Sequence, residues 1–162
     1  MFAYCLNRAV NGRDASGCLT VGVGLDVSAA FGIRAGASAQ VVVDDNGNIG
    51  ILVTYSIGGG TPSASFSAIG SFTNADTIED LTGMGGAFGA SGIAGADFTV
   101  GTAKNGDSVY GVQVSKSIVS APMPIEAHGE ATYSVLYSLD WLPKRLRKLI
   151  ANELIKQINQ LQ

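Results

Sequence analysis

Three titratable side chains at two-residue spacing, Glu126, His128 and Glu130, form the one compact acid-base cluster in the 162-residue sequence. In an extended strand this spacing projects all three from one face, with successive Cα atoms about 7 Å apart. A carboxylate beside an imidazole raises the imidazole pKa, so His128 would act as an acid or base near neutrality. The two glutamates stand about 13 Å apart by the strand rise, too far for the paired carboxylates of a glycosidase. No nucleophile accompanies them. Asp26 is a fourth candidate, because its parity in an earlier strand puts it on the same small, polar face. Closure of the sheet would bring it across from Glu130. The bland alternative is a solvent-facing polar row opposite a buried row of Ile125, Ala127, Ala131 and Tyr133.

Other chemistry is scarce. There is no phosphate-loop, zincin or nucleophile-elbow signature and no zinc-type Cys/His spacing, so no cofactor or metal is expected. Gly22-Val23-Gly24 and Gly83-Met84-Gly85-Gly86 lie in strand-like alternation without a following helix, which argues against a phosphate cradle. Cys5 and Cys18 are too few for a disulfide scaffold and read as small apolar residues.

The elements that must carry these side chains follow from a period-two rhythm. Hydrophobic residues make up 46% of the chain, which rules out wholesale disorder, and 22 glycines argue against a helical bundle. From Thr20 to Gly32 the odd positions are Val21, Val23, Leu25, Val27, Ala29 and Phe31, and the even ones are small or polar. The parity holds through Ile33–Val43 and ends at Asp44-Asp45-Asn46-Gly47, where Asn-Gly is a strong hairpin signal. Ile49 to Ile57 and Ala64 to Phe72 continue the rhythm around a reversal at Gly58–Pro62. Asn74–Leu81 is a polar connection with room for one helical turn. Thr82–Ala96 is so dense in glycine that its register is weakly specified, although Met84, Phe88 and Ala90 share a face, and further strands follow near residues 97–103, 108–119 and 125–137, separated by Asn105-Gly106-Asp107 and by the prolines at 122 and 124.

The expected fold is mainly β: an antiparallel up-and-down meander of about eight strands closing into a barrel, with a C-terminal amphipathic α-helix. The barrel occupies 18–140, its apolar face packed inside. The helix spans 141–162, with leucines and isoleucines at helical spacing and a role in covering a barrel mouth. Charge divides at the same boundary. Thr20–Ser138 holds ten acidic and three basic side chains, whereas 139–162 holds two acidic and five basic ones. An acidic body disfavours nucleic acid there, and Lys144, Arg145, Arg147 and Lys148 form a basic patch for an anionic lipid, a nucleic acid or an acidic partner, or else a solvated helix face. The first residues lack the pattern of a signal peptide.

The opening Phe2–Gly17, FAYCLNRAVNGRDASG, resembles the close of the RHS repeat-associated core domain. Tyr4, Asn7, Val10, Asn11, Asp14 and Gly17 stand where that family has its Tyr strand, Asn-x-Pro-x-Asn and Asp-Pro-x-Gly; Ala9 and Ala15 replace prolines, and Arg8 an asparagine. The resemblance covers about a tenth of the chain. It implies that 1–17 is a remnant of the core junction and that the rest is a variable tip: a toxin or binding module delivered out of a bacterial cell and paired with an immunity protein. Alternatives from the residues themselves are a membrane-inserting, pore-forming barrel, a toxin enzyme using Glu126, His128 and Glu130, and a small-ligand carrier.

Overall fold

A computed structural model of the chain describes residues 20–120, 126–143, 145–147, 149–150 and 153. It has six antiparallel strands: β1 (Thr20–Asp44), β2 (Ile49–Thr73), β3 (Gly83–Ser91), β4 (Ala94–Thr102), β5 (Ser108–Ser120) and β6 (Glu126–Ser138). A single 3-10 turn, Ile78–Leu81, fills the expected polar connection.

Six strands stand where eight were expected, because two anticipated reversals are bends. β1 and β2 each run 25 residues and stay paired from Thr20 opposite Thr73 to Val43 opposite Ile49. Gly32 takes a φ of 80°, a left-handed value that glycine adopts without a Cβ clash. Opposite it, β2 carries one extra residue: Ala30 pairs with Ser63 and Gly32 with Gly60. This bulge lets the ribbon fold over without breaking its ladder. The Asn46-Gly47 turn is a true reversal, with Gly47 at φ 80° and its N–H donating to the Asp44 carbonyl at 3.0 Å.

Closure also differs from a simple meander, since β1 forms no ladder with β6. β2 pairs with β6 through Gly50–Gly60 and with β5 through Ser65–Thr73. The ladders β5–β4, β4–β3 and β3–β6 complete a closed ring of five strands, and β1 lies along the remaining edge of β2. The two arms of β1 come together where Gly24 abuts Ala39 and Gln40, with no room for a Cβ.

The faces are the reverse of the expected ones. Leu25, Val27, Ile51, Phe66, Phe88, Val114 and Tyr133 point outward and are exposed, whereas Ser28, Arg34, Gln40, Ser67, Asp97, Glu126 and His128 are buried. The physical reason lies in the glycines, which share the polar face. The interior of a small barrel is filled by its side chains, and here inward glycines and serines leave room for a few long polar ones, Arg34, Gln40, Glu126 and His128, while the bulky apolar residues turn out. Ala127, Ala131 and Tyr133 accordingly form the outer row of β6, not a buried one.

The buried apolar side chains cluster toward the end of the barrel nearest the Asn46-Gly47 turn, while Ala30, Ile69 and Ala87 are buried singly along the strands. Val42, Leu52 and Ile78 pack with Leu81 and Leu136, and Val43 and Ile49 pack with Leu139 and Ile150. Asp44 ties this plug together: its carboxylate accepts from Asn48 N–H at 2.9 Å and from Ile78 N–H at 3.3 Å. Of the helix expected over 141–162, the described part is a turn starting at Pro143, whose carbonyl accepts from Leu146 and Arg147 N–H at 2.8 and 3.1 Å. The full-length helix is not supported; most of 151–162, like Phe2–Gly17, Cys5, Cys18 and the prolines at 122 and 124, lies outside the described residues.

Candidate functional site

Alternation places the chemistry inside. Even positions of β1 and β6 and odd positions of β4 face the lumen, so Asp26, Arg34, Asp97, Glu126, His128 and Glu130 converge there from three strands. Arg34 is the hub: its Nε donates to Glu130 Oε2 at 2.9 Å and its Nη1 to Glu126 Oε1. All three side chains are almost fully buried.

His128 sits beside this hub, 8% exposed. Its Nε2 lies 3.2 Å from Asp97 Oδ1 and its Nδ1 3.8 Å from Glu126 Oε1. Neither approach is aligned as a hydrogen bond, and both ring nitrogens and Asp97 Oδ1 are buried without one. The adjacent Asp97 still raises the His128 pKa, against burial and the nearby Arg34, and we attribute this to its negative charge at short range. Burial pushes the Asp26 carboxyl up to about 6, with Arg34 opposing and Glu130 and Asp97 reinforcing the rise. For Arg34, burial works against the charge, but Glu130 and Glu126 outweigh it and lift its pKa further.

The structure thus brings together all four candidates named from the sequence, although Asp26 gets there by the folding of the β1–β2 ribbon rather than by pairing with the last strand. Two members went unnamed in the sequence reading, Arg34 and Asp97. Arg34 carried a signal: it is the lone basic residue on the even, polar face of β1 and shares its parity with Asp26. Asp97 had only its place in an uncertain glycine-rich stretch.

Among the described residues no three His, Cys, Asp or Glu side chains are grouped to hold a metal ion. A cavity of about 120 Å³ adjoins the network, reaching from Asp26 and Glu130 past Gln40 and Gln113 to Asp80 and Thr82 beside the 3-10 turn. Of the basic patch, Arg145 is exposed and Arg147 Nη1 pairs with Asp140 at 2.9 Å, while Lys144 and Lys148 lie outside the described residues.

The fold and interior define an antiparallel β-barrel with an apolar exterior and a charged, hydroxyl-lined core. No protein-family model, curated protein or solved structure matches the chain.

Proposed function

We propose that this chain is a membrane-inserting β-barrel, with lipid against its outer face. The observation that carries this reading is the inverted alternation. Lys116 is the one charged side chain on the outward face of the described strands, and that face includes an aromatic row in which Phe88 and Phe98 lie 5.3 Å apart and Phe98 and Tyr110 6.1 Å. In water such a surface would be exposed at a cost of about 25 cal/mol per Å² of apolar area. In a bilayer it becomes the favourable surface, with apolar-out and polar-in residues at period two.

Dimensions support the same reading. β5 and β6 each have 13 residues, which at the usual rise and a barrel tilt of about 40° span roughly 33 Å, close to the hydrocarbon thickness of a bilayer. Among the described residues no helix is long and apolar enough to cross a membrane, so strands would have to do so.

In the same proposal the barrel is the variable tip of an RHS-type polypeptide, delivered out of a bacterial cell as a toxin and neutralised by an immunity protein. The support for delivery is the resemblance of Phe2–Gly17 to the RHS core junction. Flotation of the purified chain with liposomes tests insertion: the barrel is expected in the lipid fraction after a carbonate wash, and recovery in the aqueous fraction would refute it. Growth arrest on expression, relieved by the gene immediately downstream, tests the toxin assignment.

A further inference from the structure

The two ends of the barrel are unlike. At one lie the Asn46-Gly47 turn, the β2–β3 connection and the β4–β5 turn, and β1 begins and β6 ends there. Asp45, Asp76, Lys104 and Asp107 are exposed at that end, with Glu79 and Asp80 half-buried. At the other end β1 bends at Gly32, β2 bends opposite it at Gly58–Pro62, and Gly92-Ile93 joins β3 to β4. Those bends and that turn hold no ionisable residue, and residues 121–125, outside the described ones, add none. Arg34 and Glu126 near this end are buried and paired with each other. Among the described residues Lys116 is the exposed charge nearest it, level with the β3–β4 turn, and its aliphatic stem lets the ammonium reach a headgroup phosphate.

Exposed apolar side chains divide in the same way. Phe31, Ile33, Ile57, Ile93, Ile118 and Val119 stand at the uncharged end, Phe31 being 89% exposed, and none has a polar side-chain atom. They come from β1, β2, the β3–β4 turn and β5, so they surround the end instead of forming one patch. Hydrocarbon meets such an end from every side, whereas a second copy seated on one flank would not. Tyr110, Tyr137 and Trp141 are exposed toward the charged end, where rings with a polar atom suit the headgroup level. Carrying ionised side chains across hydrocarbon is costly, and the uncharged end avoids that cost.

Resting on the membrane-inserted reading, we propose that the barrel enters a lipid bilayer in one orientation. The Gly32 end leads through the hydrocarbon, and the Asn46-Gly47 end stays on the side from which the protein arrives.

The experiment uses the full chain lacking Cys5 and Cys18, with a single new cysteine, Ile93→Cys or Lys104→Cys, carrying a nitrobenzoxadiazole dye. Each is added to preformed phosphatidylcholine–phosphatidylglycerol vesicles, with flotation as the independent measure of insertion. Dithionite added outside should bleach the dye at residue 104 and spare the one at residue 93 until detergent is added. Ile93→Glu should lower the floated fraction at limiting lipid by roughly ten-fold or more, and Asn105→Glu should leave it unchanged. Phe31→Glu repeats the charge test at the β1 bend should the first variant misfold. In chains that float, both dyes spared, both bleached or each half bleached overturns the inference while leaving insertion standing, as does flotation undiminished by a glutamate at the Gly32 end. A dye at residue 93 already shielded without lipid also overturns it, because another copy then covers this end. A chain that does not float removes both readings.

Discussion

Arg34 on β1 and Glu130 on β6 join at 2.9 Å over Gly58 of β2, which is the ladder partner of both. The same arrangement recurs where His128 and Asp97 meet over Gly89, their common partner on β3. In a related contact Ser71 donates to Gln40 at 2.7 Å beside Gly22, which is the ladder partner of Ser71 alone. Inward glycines are the gaps through which side chains two strands apart reach each other.

It follows that glycine is required at these positions for space, not for backbone freedom. A Cβ at Gly58 would collide with the Gly129–Glu130 backbone and one at Gly89 with Ala96–Asp97, whereas Gly101 and Gly129 face open space. Gly58→Ala and Gly89→Ala should each destabilise the barrel by about 1–3 kcal/mol. Gly101→Ala should cost far less, and denaturant midpoints of the three variants check the ranking.

Removing Arg34 strands two buried carboxylates. Arg34→Ala is expected to cost about 3–5 kcal/mol, since one partner of a buried ion pair is left uncompensated. Replacing the whole unit, Arg34→Met with Glu126→Gln and Glu130→Gln, should recover most of that loss, as measured by thermal unfolding in detergent micelles. Equal instability of the single and triple variants would show that the ion pairs are not what Arg34 contributes.

Stability should fall as the solution is made alkaline. Asp26 titrates at about 6 in the folded barrel against an ordinary 3.8, so the folded form holds the proton more tightly than the unfolded chain. The stability tied to that proton is complete below 3.8 and is lost as pH rises through about 6. His128, also raised from its ordinary 6.5, acts in the same direction: its contribution is present below 6.5 and is lost as pH rises through its higher folded value. Asp97, Glu126, Glu130 and Arg34 surround both groups. The melting temperature is expected to be higher near about pH 5 than near about pH 8, with a shallower slope in Asp26→Asn.

The sequence revealed the alternation, the Asn46-Gly47 and Asn105-Gly106 turns and the common face of Glu126, His128 and Glu130. It did not reveal which face lies inside. Period two is symmetric between water outside and lipid outside, and the deciding clue was volume: glycine and serine share the polar parity of Asp26 and Arg34 and leave the space that those longer side chains fill. Strand count failed at Gly32 and Gly58–Pro62 because a glycine that permits a reversal also permits a bend. Ladder continuity across it depends on the partner strand, which is not a local property.

A charge on the outer face should act very differently from a change within. Leu25→Arg on the exposed side of β1 should oppose insertion by roughly 2–4 kcal/mol if it lies at the membrane midplane. Ser67→Ala, buried between Phe66 and Ala68 on the inward side of β2, should leave flotation unchanged.

The most direct test of the inverted barrel is a cysteine scan of Val23–Ser28 with nitroxide labels, in a background lacking Cys5 and Cys18, in lipid vesicles. Collision with oxygen dissolved in the bilayer should peak at residues 23, 25 and 27 and dip at 24, 26 and 28. The opposite phase, or no two-residue period, would contradict an exterior built for lipid.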